Sequence, residues 1–261
     1  MTENHNIIPA RHIHEECGVF GIFTPQEADV ASYAYYALYS LQHRGQESAG
    51  IVVNDDGLFR SLRDTGLVSE VFPPEQLKSL GKGTIAVGHV RYGTTGSDNK
   101  RNVQPILVNH FKGRMALAHN GNLTNSRELR QELESRGSIF QTTTDSEVIA
   151  YIIVQERLNR GSIEEAVSAA MDRIEGAYSL VLSSPTKLIA ARDPHGFRPL
   201  CMGHLKDGSV VFASESCALD AIGAEFERDI RPGEIVVADQ DGIRSDTTHC
   251  GKAEKRLCVF E

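Results

Sequence analysis

The sequence predicts an α+β fold in which two mostly antiparallel β-sheets lie between layers of helices, a four-layer αββα sandwich. Predicted strands fall into two groups, one within residues 18–118 and one within residues 178–238, with helical segments between and beside them. The strands are short and bounded by turn residues, as is typical of antiparallel sheets. No linker interrupts residues 17–240, so we expect one domain there.

The strand that opens this domain directly follows Cys17. Residues 18–23 are apolar and punctuated by glycine, which indicates a buried strand. A helix is predicted over residues 27–41, and a hairpin follows, with strands at 51–53 and 58–63 joined by an Asn-Asp-Asp-Gly turn. Cys17 is therefore expected at the base of a core strand.

The middle of the chain places three polar groups at the ends of predicted elements. The predicted elements are strands at 84–90, 105–108 and 115–118 and helices at 126–136, 147–158 and 163–174. Arg91 ends the first of these strands and begins a glycine-rich loop, and Asn120-Gly121 follows the third. Asp145 lies at a helix start, after three threonines. Functional groups are often found at such positions.

The last third of the chain changes to strand periodicity. The predicted strands are 178–182, 188–191, 200–203, 210–213 and 234–238, separated by turn sequences such as Arg-Pro-Gly. Residues 241–261 close on a short apolar run without a clear end. We interpret them as the start of a linker or a further domain, whose remainder is absent.

Composition excludes several classes of function. The chain has 261 residues, a net charge of −8 and a pI of about 5.7, which argues against general binding to nucleic acid or to an anionic membrane. The N-terminus has no apolar segment of a secretory signal. The five cysteines are dispersed and show no zinc-ligand spacing, so we expect a cytoplasmic protein without a metal site.

Each polar cluster permits a structural and a functional interpretation. Arg91 could clamp a carboxylate or form a structural ion pair. Asp145 could bind an ammonium group or cap its helix. Asn120 and the N–H of Gly121 could form an oxyanion hole or a common turn, and Arg44 could be a buried structural arginine.

Taken together with Cys17, these groups match glutamine. Its α-carboxylate would pair with the Arg91 guanidinium, and its α-ammonium would pair with the Asp145 carboxylate. Its side-chain carbonyl would meet the Cys17 thiol and the oxyanion hole. The base is either His89, near the end of the strand before Arg91, or an α-amino group, whose pKa of about 7.7–8.0 suits the task. Removal of residues 1–16 would place that amine on Cys17 itself.

Six motifs occur in an order that resembles a known family. They are Cys17-Gly-Val-Phe-Gly, His43-Arg-Gly-Gln-Glu-Ser-Ala-Gly-Ile, His89-Val-Arg-Tyr, His119-Asn-Gly-Asn-Leu, Thr144-Asp-Ser-Glu-Val and Arg192-Asp-Pro-His-Gly-Phe-Arg-Pro-Leu. The ordered set resembles the class II glutamine amidotransferases, which are N-terminal-nucleophile (Ntn) hydrolases. Within that group it resembles the glutaminase half of the amidophosphoribosyltransferases of purine biosynthesis, whose fold is the four-layer Ntn type.

The resemblance implies a role for each matching residue. Cys17 would attack the glutamine carboxamide, with its own amine as base, after self-cleavage removes residues 1–16 as a propeptide. Asn120 and Gly121 would hold the oxyanion. Arg91 would bind the α-carboxylate and Asp145 the α-ammonium. Arg44 would support the Cys17 end, and the loop from Arg91 to about residue 102 would close over glutamine.

The resemblance also implies groups that this chain does not supply alone. Full-length relatives use Mg²⁺ and phosphoribosyl diphosphate in a transferase half that is absent here. Cys258 matches a ligand of the [4Fe–4S] cluster in some relatives, but a cluster needs four ligands. Full-length forms are expected to be homo-oligomers. Two alternatives stay open: ammonia supply to aminosugar or asparagine synthesis, and an inactive, unprocessed fragment.

Overall fold

The computed structural model describes residues 17–92 and 100–258. The predicted propeptide, its junction with Cys17, residues 93–99 of the loop expected to close over glutamine, and the last three residues lie outside the described residues. None of the described helices is long and apolar enough to cross a membrane.

The first half of the chain alternates strands with short helices. Its elements are β1 (Gly18–Ala28), α1 (Val30–Ser40), β2 (Ser48–Asp55), β3 (Leu58–Thr65), α2 (Val68–Val71), α3 (Pro74–Ser79) and β4 (Gly83–Arg91). A 3-10 turn at Gln42–Arg44 follows α1, and another at Lys100–Asn102 follows β4. The predicted hairpin of β2 and β3 is present, and Asn54 stabilises its turn by accepting the Gly57 N–H at 2.8 Å.

The second half contains three longer helices followed by a strand-rich segment. Its elements are β5 (Ile106–His110), β6 (Gly113–Leu123), α4 (Ser126–Ser135), α5 (Asp145–Asn159), α6 (Ile163–Met171), β7 (Gly176–Ser183), β8 (Leu188–Arg192), β9 (Cys201–His204), β10 (Val210–Ala213), α7 (Cys217–Ile222), β11 (Glu225–Asp229), β12 (Ile235–Asp239) and β13 (Gly242–Asp246).

The strands form two sheets. The first has the order β11-β9-β10-β1-β4-β2-β3, and the second has the order β13-β12-β8-β7-β6-β5. All eleven pairings between neighbouring strands of these two sheets are antiparallel. The predicted α+β class with two antiparallel sheets is therefore confirmed.

Apolar cores fill the three spaces between four layers. One lies between the first sheet and helices α1 and α7, and it includes Phe20 and Leu38. One lies between the second sheet and helices α4 to α6, and it includes Ile153. The third fills the space between the sheets, where Val19 and Phe212 meet residues of the second sheet. Side chains alternate across a strand, so Val19 and Phe20 of β1 serve different cores.

Three features differ from the sequence-based expectation. β6 continues through Asn120-Gly121 to Leu123, so this dipeptide lies within a paired strand and not in a turn after one. The exposed strand β11 was not expected, because its polar composition gives a weak strand pattern. β13 pairs with β12 and carries the second sheet past residue 240, where the end of the domain was predicted.

Candidate active site

One cavity of about 260 Å³ brings together residues from widely separated motifs. It lies where β1, β4 and β6 meet the start of α5. Among its lining residues are Cys17, Arg91, Gly121 and Asp145. The remaining lining residues are Tyr92, Gln104, His119, Asn122, Leu123, Ser126, Thr143, Thr144 and Ser146. The wall is mostly polar and carries both charges, as a small zwitterionic ligand would require.

Cys17 stands at the base of β1, where Gly18 pairs with Val90 of β4. Its Sγ lies 3.7 Å from the backbone oxygen of Tyr92. Arg44 Nε donates to the backbone oxygen of Cys17 at 3.0 Å. The pairing of Gly18 and the hydrogen bond from Arg44 hold the backbone at and just after Cys17, so the thiol is presented from a fixed support.

Glu215 completes this support and was not identified from the sequence. Arg44 Nη1 donates to Glu215 Oε1 at 2.7 Å, and the two residues are 171 positions apart. Burial raises the pKa of the Glu215 carboxyl, but the hydrogen bonds and charges of Arg44 and His43 together more than offset this, and the pKa lies below its ordinary value. An ionised Glu215 therefore fixes the Arg44 guanidinium.

The Arg44 turn also packs directly against the backbone of Arg91. A Cβ on Gly45 would lie 2.6 Å from the Arg91 carbonyl carbon. The Arg91 carbonyl oxygen accepts the Glu47 N–H at 3.0 Å. Arg91 ends β4 opposite Ser48 and its side chain is buried. The guanidinium expected to clamp a carboxylate is thus held at the same end of the first sheet as Cys17.

Gly121 has a backbone conformation that only glycine adopts easily. Its φ is +134°, and a Cβ there would lie 2.0 Å from the Ala177 backbone oxygen. Gly121 pairs with Tyr178 in the neighbouring strand β7. This distortion lies within a paired strand next to the cavity. The Asn120-Gly121 dipeptide is therefore an ordered part of β6 and not a turn.

Asn120 is fully buried, and neither its Oδ1 nor its Nδ2 has a hydrogen-bond partner among the described residues. Ala118, two residues earlier on the same face of β6, belongs to the core between the sheets. Strand alternation therefore directs Asn120 toward the first sheet. Asn120 does not itself line the cavity, although His119 and Gly121 do. A buried amide without a partner is costly and calls for a functional explanation.

Asp145 is the first residue of α5, but its carboxylate does not cap that helix. Oδ2 accepts the Leu123 N–H at 2.9 Å, and Oδ1 lies 3.6 Å from His119 Nδ1. The N-cap is Thr144, whose side chain makes no capping bond. The carboxylate is thereby fixed against β6 on the cavity wall.

His89, the alternative base, is not part of the cavity wall. It is fully buried, and its Nε2 lies 3.0 Å from the His119 backbone oxygen. Because that oxygen only accepts, Nε2 carries the hydrogen. Burial is the main cause that lowers the pKa of His89 to about 3. A group with this pKa is a poor general base at neutral pH.

Two amides that sequence analysis did not select hold the wall of the cavity. Gln104 Oε1 accepts the His119 N–H at 2.7 Å, and Gln104 Nε2 donates to the His119 oxygen at 3.3 Å. Asn102 Oδ1 accepts the Thr143 N–H at 3.2 Å. These two residues lie before β5, and they connect that segment of the chain to β6 and to the residues just before α5. No local pattern distinguishes such amides from surface residues, so the sequence offered no signal.

The Arg192-to-Leu200 motif has a structural role in the described fold. The buried carboxylate of Asp193 accepts backbone N–H groups from Tyr178 and from the turn residues His195, Gly196, Phe197 and Arg198. Arg192 donates to three backbone oxygens around the same turn. The motif therefore satisfies the polar backbone between β8 and β9.

Cys258 lies apart from this site. It lines a separate cavity of about 630 Å³ with Phe197 and Arg198. A [4Fe–4S] cluster needs four cysteine ligands. Within the described residues, the only close group of three metal-ligating side chains is elsewhere, at His43, Glu215 and Cys217. Cys258 alone does not fit a cluster.

Comparison with known proteins gives a consistent family. Residues 89–221 match the sequence profile of the glutamine amidotransferase domain. Amidophosphoribosyltransferase 2 of Arabidopsis thaliana, a chloroplastic protein, is 47% identical over 95% of this chain and 43% of its own length. The amidophosphoribosyltransferase of Synechococcus elongatus is also 47% identical, over 95% of this chain and 50% of its own length.

Solved structures agree with the curated relatives. The glutamine phosphoribosylpyrophosphate amidotransferase of B. subtilis, solved with ADP and GMP, has a TM-score of 0.84 and 41% identity, covering 93% of this chain and 51% of that chain. A class-II domain protein from Silicibacter pomeroyi shares the fold at a TM-score of 0.59 and 14% identity, covering 87% of this chain and 98% of that chain. This chain thus spans about half the length of the curated relatives it matches.

Proposed function

The chain belongs to the glutamine amidotransferase domain family and is a homologue of the amidophosphoribosyltransferases, and on that premise we propose that it hydrolyses glutamine to glutamate and ammonia. The observation that carries the proposal is the single cavity that joins the Cys17 thiol, the Arg91 guanidinium and the Asp145 carboxylate. These are the groups that a glutamine zwitterion and its side-chain amide need.

Binding is assigned to the two charged walls. Arg91 pairs with the α-carboxylate through two parallel N–H donors. Asp145 receives the α-ammonium through carboxylate lone pairs not used by the Leu123 N–H. Charged hydrogen bonds of this kind contribute about 1.5–3 kcal/mol each. Because Arg91 and Asp145 pair with opposite charges on one ligand, the site favours an amino acid over a simple amide.

The nucleophile is Cys17 Sγ, and the base is the α-amino group that Cys17 has after residues 1–16 are removed. The amine takes the thiol proton as sulfur bonds to the glutamine side-chain carbon, and it then delivers a proton to the departing nitrogen. Ammonia leaves and a γ-glutamyl thioester remains. Water, deprotonated by the same amine, attacks the thioester, and glutamate and the thiol are restored.

The oxyanion of both tetrahedral intermediates is assigned to Asn120 Nδ2 and the Gly121 N–H. Both hydrogen-bonding atoms of the Asn120 amide are unpartnered among the described residues, so an oxyanion would supply the missing acceptor. Removing one such donor costs about 10²–10³ in turnover. Arg44 does not line the cavity, and we assign it an indirect role, in which it positions Cys17 by holding its backbone oxygen.

The acceptor for ammonia is proposed from the relatives. Because relatives at 47% identity are amidophosphoribosyltransferases, we assign phosphoribosyl diphosphate as the acceptor. Ammonia would convert it to 5-phosphoribosylamine in purine biosynthesis. That step needs a transferase half with Mg²⁺. This half lies outside the part of the relatives, about half of their length, that this chain matches. The relatives favour this acceptor over aminosugar or asparagine synthesis. The dispersed cysteines fit the proposed cytoplasmic location.

The direct test combines intact mass with a glutaminase assay on the same preparation. We expect the mass of a chain that starts at Cys17, together with stoichiometric release of glutamate and ammonia. Cys17→Ala should retain residues 1–16 and show no turnover. Turnover in a chain that keeps its leader would refute the amine base, and turnover in Cys17→Ala would refute the nucleophile. A processed chain without turnover would refute the proposed activity for this length of chain.

A further inference from the structure

A second cluster of reactive side chains lies behind the proposed nucleophile, outside the cavity. His43 comes from the turn after α1, Glu215 from the segment after β10, and Cys217 from the start of α7. Their ligand atoms all lie within 4.8 Å of one another. His43 and Glu215 are 172 positions apart, so ligand spacing along the sequence does not reveal the cluster.

The orientation of the His43 ring is fixed as it is in metal-binding histidines. Nδ1 lies 3.0 Å from the Ser40 backbone oxygen, which can only accept, so Nδ1 carries a hydrogen. Metal-binding histidines usually donate their second ring N–H in this manner. His43 Nε2 then faces the Glu215 oxygens at 3.0 and 3.2 Å. Two acceptors at this distance need a positive charge between them, supplied by a proton on Nε2 or by a metal ion.

The two distances from Glu215 Oε2 lie near those of a tetrahedral ion, and all three ligand atoms lie within 4.8 Å of one another. Zinc bonds of about 2.0–2.3 Å to nitrogen, oxygen and sulfur place neighbouring ligand atoms about 3.3–3.6 Å apart. Glu215 Oε2 lies 3.0 Å from His43 Nε2 and 3.7 Å from Cys217 Sγ. The His43 side chain is 56% exposed, so its ring has room to adjust. Glu215 Oε1 remains with Arg44.

We infer that His43 Nε2, Glu215 Oε2 and Cys217 Sγ form a binding site for one divalent transition-metal ion of the zinc class, with water as fourth ligand. Imidazole, carboxylate and thiolate are all zinc ligands. Binding releases to solvent the thiol proton of Cys217 and any proton on His43 Nε2. The metal binds the deprotonated thiolate, so it must displace the thiol proton of Cys217.

Occupancy of this site should reduce glutamine hydrolysis, a consequence that rests on the proposed function. Glu215 is shared between the metal site and Arg44, and Arg44 Nε holds the Cys17 backbone oxygen at 3.0 Å. A dication on Oε2 withdraws charge from the carboxylate and repels the guanidinium. The support beneath Cys17 then loosens, and turnover falls.

The site itself is tested with Co²⁺ as a spectroscopic probe on the full chain carrying Cys17→Ala, which removes the competing thiol of the active site. We expect one equivalent of Co²⁺ to give a thiolate-to-cobalt charge-transfer band. The band should be lost in Cys217→Ser and His43→Gln and retained in the control Cys250→Ser. A missing band in the Cys17→Ala chain, or a band that persists in Cys217→Ser, would overturn the site.

The coupling is tested by Zn²⁺ titration of glutaminase turnover in the chain with Cys17 intact. We expect turnover to fall several-fold in the parent chain and to resist Zn²⁺ in Cys217→Ser, whose metal-free turnover should match the parent. Equal inhibition of both would place zinc at Cys17 instead and overturn the coupling. If the metal-free parent shows no turnover, the proposed function fails, while the cobalt spectrum still decides the metal site.

Discussion

Asp145 shows how one side chain can support a strand and still offer charge to a ligand. It accepts the Leu123 N–H through Oδ2, lies close to His119 through Oδ1, and faces the cavity. A helix cap would instead direct its oxygens to the first turn of α5. The observed contacts therefore argue against the helix-capping interpretation of this residue.

Asp145→Asn removes the charge while keeping the shape of the side chain. We expect the KM for glutamine to rise about 10- to 100-fold, because a charged hydrogen bond of about 1.5–3 kcal/mol is lost. Steady-state kinetics would measure this effect. The matched control is Asp56→Asn at the distant β2–β3 turn, where φ is +43° and asparagine is well tolerated. An unchanged KM in Asp145→Asn would contradict the assignment.

His89 makes the stability of the protein depend on pH. Its pKa is lowered to about 3 in the folded protein, with burial as the main cause, whereas an unfolded histidine has a pKa of about 6.5. Between these values only the unfolded chain takes up the proton. Above pH 6.5, His89 therefore does not lower the free energy of unfolding. As the pH falls from about 6.5 toward about 3, the free energy of unfolding decreases by about 1.4 kcal/mol per pH unit because of His89.

His89→Gln should remove the part of the acid-induced loss of stability that comes from His89. We expect the slope of unfolding free energy against pH, between about pH 6 and 4, to be smaller than in the parent by about 1.4 kcal/mol per unit. Urea unfolding at several pH values would measure both slopes. Parallel profiles for His89→Gln and the parent would show that His89 does not titrate on unfolding.

At the level of elements, β6 carries the proposed oxyanion donors inside a paired strand. Asn120 pairs with Ser179 and Gly121 with Tyr178, so β7 holds both residues in register. A site on a strand is more precisely positioned than one on a loop. The strand is also where a distortion such as φ of +134° at Gly121 can be held by the neighbouring backbone.

Gly121→Ala should be clearly more destabilising than an alanine at an open glycine. The new Cβ would meet the Ala177 oxygen at 2.0 Å, and the residue would also be strained by its positive φ. We expect a loss of about 1–3 kcal/mol in unfolding free energy, together with loss of turnover. Gly137→Ala is the control, since φ there is +90° with nothing within 4 Å of the added Cβ. Equal destabilisation of the two variants would show that the close approach to β7 does not matter.

At the level of the whole molecule, the two sheets approach each other closely at a residue that has no side chain. A Cβ on Gly21 of β1 would lie 2.5 Å from Val181 Cγ1 and 3.0 Å from Leu188 Cδ1 of the second sheet. Val181 and Leu188 both belong to the core between the sheets. This contact helps set the distance between β1, which carries Cys17, and the sheet that carries Asn120.

Gly21→Ala should overpack this core and destabilise the protein by about 1–3 kcal/mol. Val181→Ala removes the atom that the new methyl group would meet. The double variant should therefore be at least about 1 kcal/mol more stable than the sum of the two single effects predicts. Denaturant unfolding of all four proteins measures the coupling. The control pair is Gly21→Ala with Val237→Ala, because Val237 lies in the core on the helix side, and the effects of these two substitutions on stability should be additive. Additive effects of Gly21→Ala and Val181→Ala would contradict the contact.

Local patterns in the sequence were enough to predict the α+β class, the two antiparallel sheets, most strands and helices, and the cavity residues Cys17, Arg91, Gly121 and Asp145. Periods of 2 and 3.6 residues report which side of each segment is buried, and turn residues mark where segments end. Only the tertiary structure placed Glu215 beside Arg44, put Asn120 inside a paired strand, and joined His43 to Cys217. The contacts of Glu215 with Arg44 and His43 join residues 171 and 172 positions apart. They depend on strand register and on close approaches such as Gly21 to Val181, which no single segment encodes, because packing is decided by both partners at once.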